Sequence, residues 1–392
     1  MNPSAAGWIK KILKQKALVQ AVESLDVNNF YTSLRSCGFI YGNNVLVFKA
    51  YFETNDYTEE ELCKINFLIA LKYIHCLSGS KTDFVESTID FYSKINVYKT
   101  SFLSDLLGEK KTTALLEKII HKRIQIADNI IDKSFNYFIT NALLFSDILA
   151  YKLYLKSNTI SEDYIQQLES VIETIVMTVL NSKTKKTAYD DSLISLFEQS
   201  LRYRKESELT YQEAIDHINT NLEAYYIIDM ACMATWGDAT VDKQERSVLN
   251  KLGRNLKLEP IIIKDAVTSL NTFYSVHKNN IALLTSKNLV KTFYDNSSGM
   301  VSKLITRNSK RLHNELRESK ELMKLLTQST VRELNDDEHK KVQEQLLDIF
   351  KSIPSLAIFM LPGGALLLPL VIKFIPKLLP SAFDDNRIED EE

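Results

Sequence analysis

Apolar side chains recur at the three- and four-residue spacing of α-helices along most of the chain. Leu62, Ile65 and Ile69 follow this spacing before Gly79 interrupts it. Only 10 of the 392 residues are glycine, which argues against a β-structure rich in turns. The same pattern predicts further helices at residues 84–95, 100–107, 111–127, 132–156, 160–181 and 187–202. We therefore predict an all-α protein, built as a multi-domain helical bundle.

Three pairs of residues have the spacing of a reciprocal helix N-cap. In such a cap the first side chain accepts a hydrogen bond from the amide three residues later, and the later side chain accepts one in return. Each pair therefore predicts the start of a helix. The pairs are Thr58 with Glu61, Asp242 with Glu245, and Asn335 with Glu338.

The stretch Phe135–Leu155 is apolar nearly all round, which predicts the central helix of a bundle. Asp147 interrupts this stretch. A buried carboxylate needs a partner, and Lys152 lies on a different face of the same helix. We interpret Asp147 as one side of a structural polar contact and not as a catalytic group.

The hydrophobic segment, residues 352–383, departs from the amphipathic pattern. It contains five of the seven prolines of the chain, and residues 352–372 carry no charge. As one helix, those residues would extend about 31 Å, close to the hydrocarbon thickness of a bilayer. Because Pro362, Gly363 and Gly364 fall in the middle, the alternative is a buried hairpin of two short helices, at about 353–361 and 365–379. We predict a proline-rich helical membrane anchor.

Composition and charge exclude several classes of protein. The hydrophobic and charged fractions, 45% and 25%, are ordinary globular values. The net charge is −2, and the acidic tail (residues 384–392) holds six acids against Arg387, so DNA binding is not predicted. The four cysteines form no C-x-x-C pair and the six histidines are scattered. We predict neither a zinc site nor disulfides, and a reducing compartment.

Other functional signals are missing from the sequence. The opening residues, MNPSAAGWIKKILKQ, lack the apolar core of a secretory signal. The sequence also shows no pairing of a nucleophile with a base, no glycine loop for phosphate and no metal-ligand spacing. We predict that the protein is not an enzyme and needs no cofactor.

Residues 303–324 are predicted to form one long charged helix with seven basic and three acidic residues. Such a run is a candidate surface for an anionic partner, and the ordinary alternative is a solvated helix face. The candidate partner face comprises Lys303, Arg307, Lys310, Arg311, Arg317, Lys340 and Lys341.

Residues 211–300 contain the sequence MACMATWGD, a turn, a helix start at Asp242, and the helix LNKLGRNLKL. In these features the region resembles the tellurite-resistance TerB-like helical domain. The resemblance implies a divalent metal site near the turn, formed by Asp238, Asp242 and Glu245. The favoured alternative is helix capping by the latter two residues, because the spacing of the three acids does not fit a calcium loop.

The chain from Leu334 onward carries a second set of matching residues. Leu334 and Glu338 open a basic helix, and the spaced prolines and a Ser-x-Phe sequence follow. Here the sequence resembles the LETM1 family of inner-membrane proteins, which implies proton-coupled cation exchange and ribosome binding. Residues 1–8 also look like the start of the bacterial LETM1-related biofilm-associated proteins. The residues of the membrane segment and family motif are Pro354, Pro362, Pro369, Pro376, Pro380, Ser381 and Phe383.

These observations predict three regions: an N-terminal helical bundle (1–210), a TerB-like domain (211–300) and a LETM1-like region (301–392). We predict a membrane-associated, non-enzymatic protein of the bacterial inner membrane that acts in cation or envelope homeostasis or in biofilm-related physiology. Most of the chain would be cytoplasmic, and homo-oligomers are expected. Two alternatives stay open, namely a soluble cytoplasmic adaptor that binds the ribosome through the basic helix and a stress-related sensor of divalent metal.

Overall fold

The chain folds into α-helices in the computed structural model. The structure describes residues 3–45, 57–95, 111–124, 141–161, 163–183, 209–235, 243–277, 301–332, 334–353, 356, 359 and 367–378. No strand lies within these ranges, so the predicted all-α class is confirmed. The helices predicted at 100–107 and 187–202 lie outside the described residues.

The chain divides into two compact units. The first comprises Met1–Asn55, Glu59–Ile126 and Phe135–Lys287, and the second comprises Asp56–Thr58, Ala127–Ser134 and Asn288–Glu392. The helices of the first unit are α1 (Trp8–Leu13), α2 (Lys16–Glu23), α3 (Val27–Ser36), α4 (Glu59–Leu77), α5 (Phe84–Lys94), α6 (Thr113–Ile124), α7 (Phe145–Ser157), α8 (Tyr164–Asn181), α9 (Tyr211–Asp216), α10 (Asn221–Thr235), α11 (Lys243–Asn255) and α12 (Pro260–His277).

Helix α10 lies at the centre of the first unit. It is buried along nearly its whole length, and it packs against α7, α8, α11 and α12. Helix α4 is enclosed in the same way by α2, α5, α6 and α7. Apolar residues all round a helix favour this placement, because every face is removed from water. The helices of the predicted N-terminal bundle and those of the predicted TerB-like domain therefore occupy one compact unit, and the division at residue 210 stays a prediction.

Helices α11 and α12 approach each other closely. A Cβ atom on Gly253 would lie 2.2 Å from Cδ1 of Ile263, so any other residue at this position would require the Ile263 side chain to shift. The glycine of the sequence LNKLGRNLKL is thus explained by helix packing.

Some helix N-termini are capped by side chains, either from a distant helix or from the adjacent residue. Glu117 of α6 accepts hydrogen bonds from the amides of Gly7 (2.9 Å) and Ile9 (3.0 Å), at the start of α1. A carboxylate is stabilised there by free amides and by the helix dipole. Asp26 and Asp83 cap α3 and α5 locally. Glu117 therefore fixes α1 against α6.

The second unit contains helical residues 301–307, α13 (Ser309–Glu318), α14 (Lys320–Gln328), α15 (Asp336–Ser352) and α16 (Leu368–Leu378). The prediction of one long helix over residues 303–324 is wrong, because the helix is interrupted at Asn308 and again at Ser319. The Ser319 hydroxyl accepts a hydrogen bond from the amide of Leu322 and donates one to Gln345 Oε1 (2.7 Å). Ser319 thereby starts α14 and ties it to α15.

The predicted cap of Asn335 and Glu338 is confirmed. The amide of Glu338 donates to Asn335 Oδ1 (2.9 Å), and the amide of Asn335 donates to Glu338 Oε2 (3.0 Å). Arg332 adds two hydrogen bonds to the same carboxylate, and these bonds lower the pKa of Glu338 to about 2. Two other helices, α4 and α11, start next to the other predicted caps, although Asp242 lies outside the described residues.

The described part of the hydrophobic segment is packed inside the second unit. Helix α16 has only 11 residues and contacts α14. Within the described ranges, no helix is long and apolar enough to cross a membrane, so the predicted spanning helix lacks support there. Residues 354, 355, 357, 358, 360–366 and 379–383 of the segment lie outside those ranges. Its buried residues are Ile353, Leu356, Phe359, Leu367, Leu368, Val371, Ile372 and Ile375.

Candidate functional site

The core of the first unit contains an ion pair that is closed off from solvent. Arg123 of α6 forms a bidentate pair with Asp147 of α7, and Tyr92 of α5 donates a third hydrogen bond to the same carboxylate (2.9 Å). The side chains of Arg123 and Asp147 are 1% and 0% exposed. The prediction that Asp147 is buried with a polar partner is confirmed. This carboxylate joins three helices and has no access to a substrate.

A second carboxyl group lies near this pair. Glu169 of α8 is buried, and its burial raises the pKa of Glu169 to about 8. The nearby charge of Arg123 opposes this increase, while that of Asp147 adds to it. Two acids thus compete for one guanidinium, so Glu169 is largely protonated in the folded protein at neutral pH.

We expect Glu169 to make the stability of the first unit dependent on pH. The pKa of Glu169 is about 8 in the folded chain, above its ordinary value of 4.5, so folding favours the protonated form. The contribution of Glu169 to the free energy of unfolding is fully present below pH 4.5 and is lost as the pH rises towards 8. Glu169→Gln should therefore gain stability relative to the parent protein as the pH rises over that interval, by at most about 1.4 kcal/mol per pH unit.

The measurement is chemical unfolding of both proteins between pH 5 and pH 8. Glu259→Gln is the matched control, because Glu259 of the same unit is exposed. A stability difference for Glu169→Gln that does not change with pH would contradict the assignment.

A second buried pair lies between α3 and α10. Asp229 is 0% exposed and accepts hydrogen bonds from Arg35 Nε (2.8 Å) and from the Tyr31 hydroxyl (2.6 Å). Arg35 also bonds to Asp265, whose side chain is 56% exposed. A charged hydrogen-bond network of this kind fixes the relative positions of α3, α10 and α12. The sequence analysis did not identify it.

The residues of the predicted metal site are only partly described. Glu245 of α11 is buried and forms an ion pair with Lys183 (3.2 Å). Asp238 and Asp242 lie outside the described residues, so the predicted site stays a prediction. Among the residues that are described, no group of three acids, histidines or cysteines is placed to hold a metal ion.

A cleft of about 410 Å³ lies at the end of α4, lined in part by Glu23, Lys72 and Cys76. The Cys76 thiol donates to Glu23 Oε1 (3.1 Å). Burial and this bond raise the pKa of Cys76 above its ordinary value, although Lys72 acts in the opposite direction. The raised pKa keeps the Cys76 thiol protonated at neutral pH, and a thiol is a weaker nucleophile than a thiolate.

The helices that precede α15 in the second unit carry exposed cations. Their buried side is apolar and includes Leu304, Leu312, Leu316 and Leu326, so the charged residues are directed to solvent. We call the following exposed residues of helical residues 301–307, α13 and α14 the basic surface: Lys303, Lys310, Arg311, Arg317, Lys320 and Lys324.

Most cations of the basic surface form no ion pair within the described part of the chain. Lys310, Arg311, Lys320 and Lys324 form no ion pair with any described residue. Lys303 is exposed, and its hydrogen bond to a described residue is long, 3.5 Å to the Tyr57 carbonyl. An anionic partner would therefore not have to displace a carboxylate of the described residues to bind these four cations.

The other members of the predicted partner face differ in their surroundings. Arg307 is half-buried, so it contributes less to an accessible surface than its neighbours. Lys340 and Lys341 of α15 are exposed, and Lys341 pairs with Glu321 (3.3 Å). Lys320 and Lys324 were not among the predicted site residues, although their spacing of four residues signals a shared helix face.

The predicted motif residues are described for α16 only. Pro369 is exposed in the first turn, where the missing amide costs no helical hydrogen bond. Pro376 lies inside the helix and is half-buried. Pro354, Pro362, Pro380, Ser381 and Phe383 lie outside the described residues.

Comparison with protein families identifies the region that contains α15 and α16. Residues 334–392 match the family model described as "LETM1-like, RBD". This region is LETM1-like. The match does not extend to the predicted TerB-like domain or to the start of the chain, so those resemblances stay predictions. No curated protein and no solved structure shows a significant match to the chain.

The LETM1-like region begins directly after the basic surface. The surface ends at Lys324 and the match begins at residue 334, yet α13, α14 and α15 pack together in one compact unit. The cations of α13 and α14 and the LETM1-like helices are thus parts of the same folded body.

Proposed function

We propose that this protein is a non-enzymatic helical adaptor whose second unit binds the ribosome through the basic surface. The observation that carries the proposal is the combination, in one unit, of a LETM1-like RBD match with exposed cations. Four of these cations lack ion-pair partners among the described residues, namely Lys310, Arg311, Lys320 and Lys324. Ribosomal RNA presents a dense array of phosphates, and lysine and arginine bind such an array by releasing counterions.

The burial of the hydrophobic segment also favours an adaptor. Phe359, Leu368 and Ile375 are each at most 1% exposed, so in the described unit these side chains serve as core. Because these apolar side chains are buried, charged residues form much of the surface of the unit. Helices α13, α14 and α15 pack against one another, so the backbone that carries the cations is already ordered before a partner binds.

Reversal of charge on the basic surface should abolish most of the binding. We expect the triple variant Lys310→Glu, Arg311→Glu and Lys324→Glu to bind ribosomes about tenfold more weakly or worse at about 50 mM salt. The slope of log affinity against log salt should become shallower by about 2, because three phosphate contacts are lost. Co-sedimentation of the full-length protein with purified ribosomes over a range of salt measures both quantities.

The matched control reverses three exposed lysines of the first unit, in the variant Lys16→Glu, Lys81→Glu and Lys264→Glu. The net charge of this control changes by the same amount. If both triple variants lost the same affinity for ribosomes, the loss would be due to overall charge and not to the basic surface. If the parent protein does not sediment with ribosomes at low salt, the proposed function is wrong.

Membrane association is a second candidate, favoured by the outer face of α16. Leu370 and Phe374 are half-exposed there, beside the exposed Lys373. Apolar side chains flanked by lysine suit the surface of an anionic bilayer. Flotation with anionic vesicles, together with failure to bind ribosomes, would favour this function over the first. Roles in cation homeostasis and biofilm physiology stay predictions.

A further inference from the structure

The basic surface has a candidate ligand within its own chain. The acidic tail, residues 384–392, has the sequence DDNRIEDEE, with six acids and one arginine. The cations of residues 303–324 exceed the acids by four, while the tail carries a net charge of −5. The net charges of the two stretches are therefore opposite in sign and similar in magnitude.

The helix that precedes the tail in the sequence packs in the same compact unit as the basic surface. Helix α16 packs against α14, which carries Lys320 and Lys324, and α14 packs against α13, which carries Lys310 and Arg311. The last residue of α16 is Leu378, six residues before Asp384. Six extended residues span about 20 Å, more than the length of about 14 Å of the nine-residue helix α14.

We propose that the acidic tail binds the basic surface and competes there with the anionic partner, so that the protein regulates its own binding. The tail itself lies outside the described residues. The surface supports this occupant because Lys310, Arg311, Lys320 and Lys324 lack an ion-pair partner among the described residues. The competition with the ribosome rests on the proposed function, whereas the contact between tail and surface does not.

Tethering and salt screening determine how strongly the tail competes for the basic surface. A short tether holds the tail at a local concentration in the millimolar range, which offsets weak individual contacts. Each exposed ion pair contributes little and is screened beyond about 10 Å at 0.1 M salt. The tail therefore acts as a competitor that a polyphosphate can displace, and its effect fades at high salt.

The first test neutralises the tail within the full-length protein. The variant carries Asp384→Asn, Asp385→Asn, Glu389→Gln, Asp390→Asn, Glu391→Gln and Glu392→Gln. We expect its affinity for ribosomes to rise about three- to tenfold at about 50 mM salt, and this gain to vanish at about 0.5 M. An unchanged or lower affinity overturns the competition.

The second test combines the neutral tail with the variant Lys310→Glu, Arg311→Glu and Lys324→Glu. If the tail acts through the surface, neutralisation should give no gain in this background, which is the result of a double-mutant cycle between coupled sites. An equal gain in both backgrounds would show a general effect of charge and overturn the proposal.

A third test does not depend on the ribosome. A carbodiimide joins lysine amines to carboxylates that already touch, so we expect cross-links within one chain from residues 384–392 to Lys310, Lys320 or Lys324. Mass spectrometry of the monomer band identifies them, and high salt should abolish them. Cross-links found only in dimers, or none, would overturn the contact between tail and surface. If these links form while ribosome binding is absent, the proposed function fails and the contact stands.

Discussion

Replacement of Arg123 by methionine should cost the protein about 3–5 kcal/mol of unfolding free energy. The substitution leaves the Asp147 carboxylate in the core, where it is 0% exposed and keeps only the Tyr92 hydrogen bond among its described partners. A buried charge that loses its counter-charge is far more costly than the pair itself is stabilising. Denaturant unfolding of the full-length chain at neutral pH measures the effect.

Two further variants distinguish the effect of losing the counter-charge from the effect of changing the side-chain volume. Arg123→Met combined with Asp147→Leu removes both charges, so we expect it to recover much of the stability lost in the single variant. Lys111→Met is the control for an exposed pair, since Lys111 contacts Asp90 at 2.6 Å with a side chain that is 41% exposed. That control should not shift the midpoint measurably. If the buried and exposed substitutions had equal effects, the structural role of Arg123 would be refuted.

Local rules predicted much of this fold and little of its tertiary contacts. The cap of Asn335 and Glu338 depends on groups three residues apart, so its spacing in the sequence was sufficient to predict it. The need of Asp147 for a partner followed from the apolar stretch around it. The identity of that partner did not, because Arg123 lies 24 residues away on another helix. A signal existed, since Arg123 stands among Ile119, Ile120 and Ile124, which are all buried.

The candidate surface was also predicted only in part. Charge counts identified the basic stretch, but they treated it as one helix. Ser319 breaks that helix, because its hydroxyl caps α14 and reaches Gln345 of α15. Serine prefers such caps to helix interiors, yet the contact that decides between them lies 26 residues away. The break is what brings Lys320 and Lys324 onto a separate helix.

The hydrophobic segment shows the limit of hydropathy as a guide. A window of uncharged residues is the same signal whether the segment enters a bilayer or fills a protein core. The decisive quantity is the space that α13, α14 and α15 leave for it, which no local pattern records. In the described structure Phe359 fills part of that space, with its ring centroid 5.0 Å from that of Phe350.

Phe359→Ala should therefore destabilise the second unit by about 3–5 kcal/mol in aqueous buffer without lipid. Phe359 is 1% exposed, so its removal loses the burial of an aromatic ring and leaves a cavity beside Phe350. Hydrogen exchange of the full-length protein, followed in peptides from α13 to α16, reports on this unit separately from the first. Protection of α15 should fall most, because Phe350 belongs to that helix.

The matched control is Leu370→Ala on the outer face of α16, where the side chain is half-exposed. We expect a loss of about 1 kcal/mol or less, since little buried area is removed. A segment inserted in a bilayer would give the opposite ranking: the Phe359 variant would be neutral in buffer, and the Leu370 variant would weaken binding to vesicles. Because the two substitutions lie in the same segment and differ mainly in burial, their ranking distinguishes a core segment from a membrane anchor.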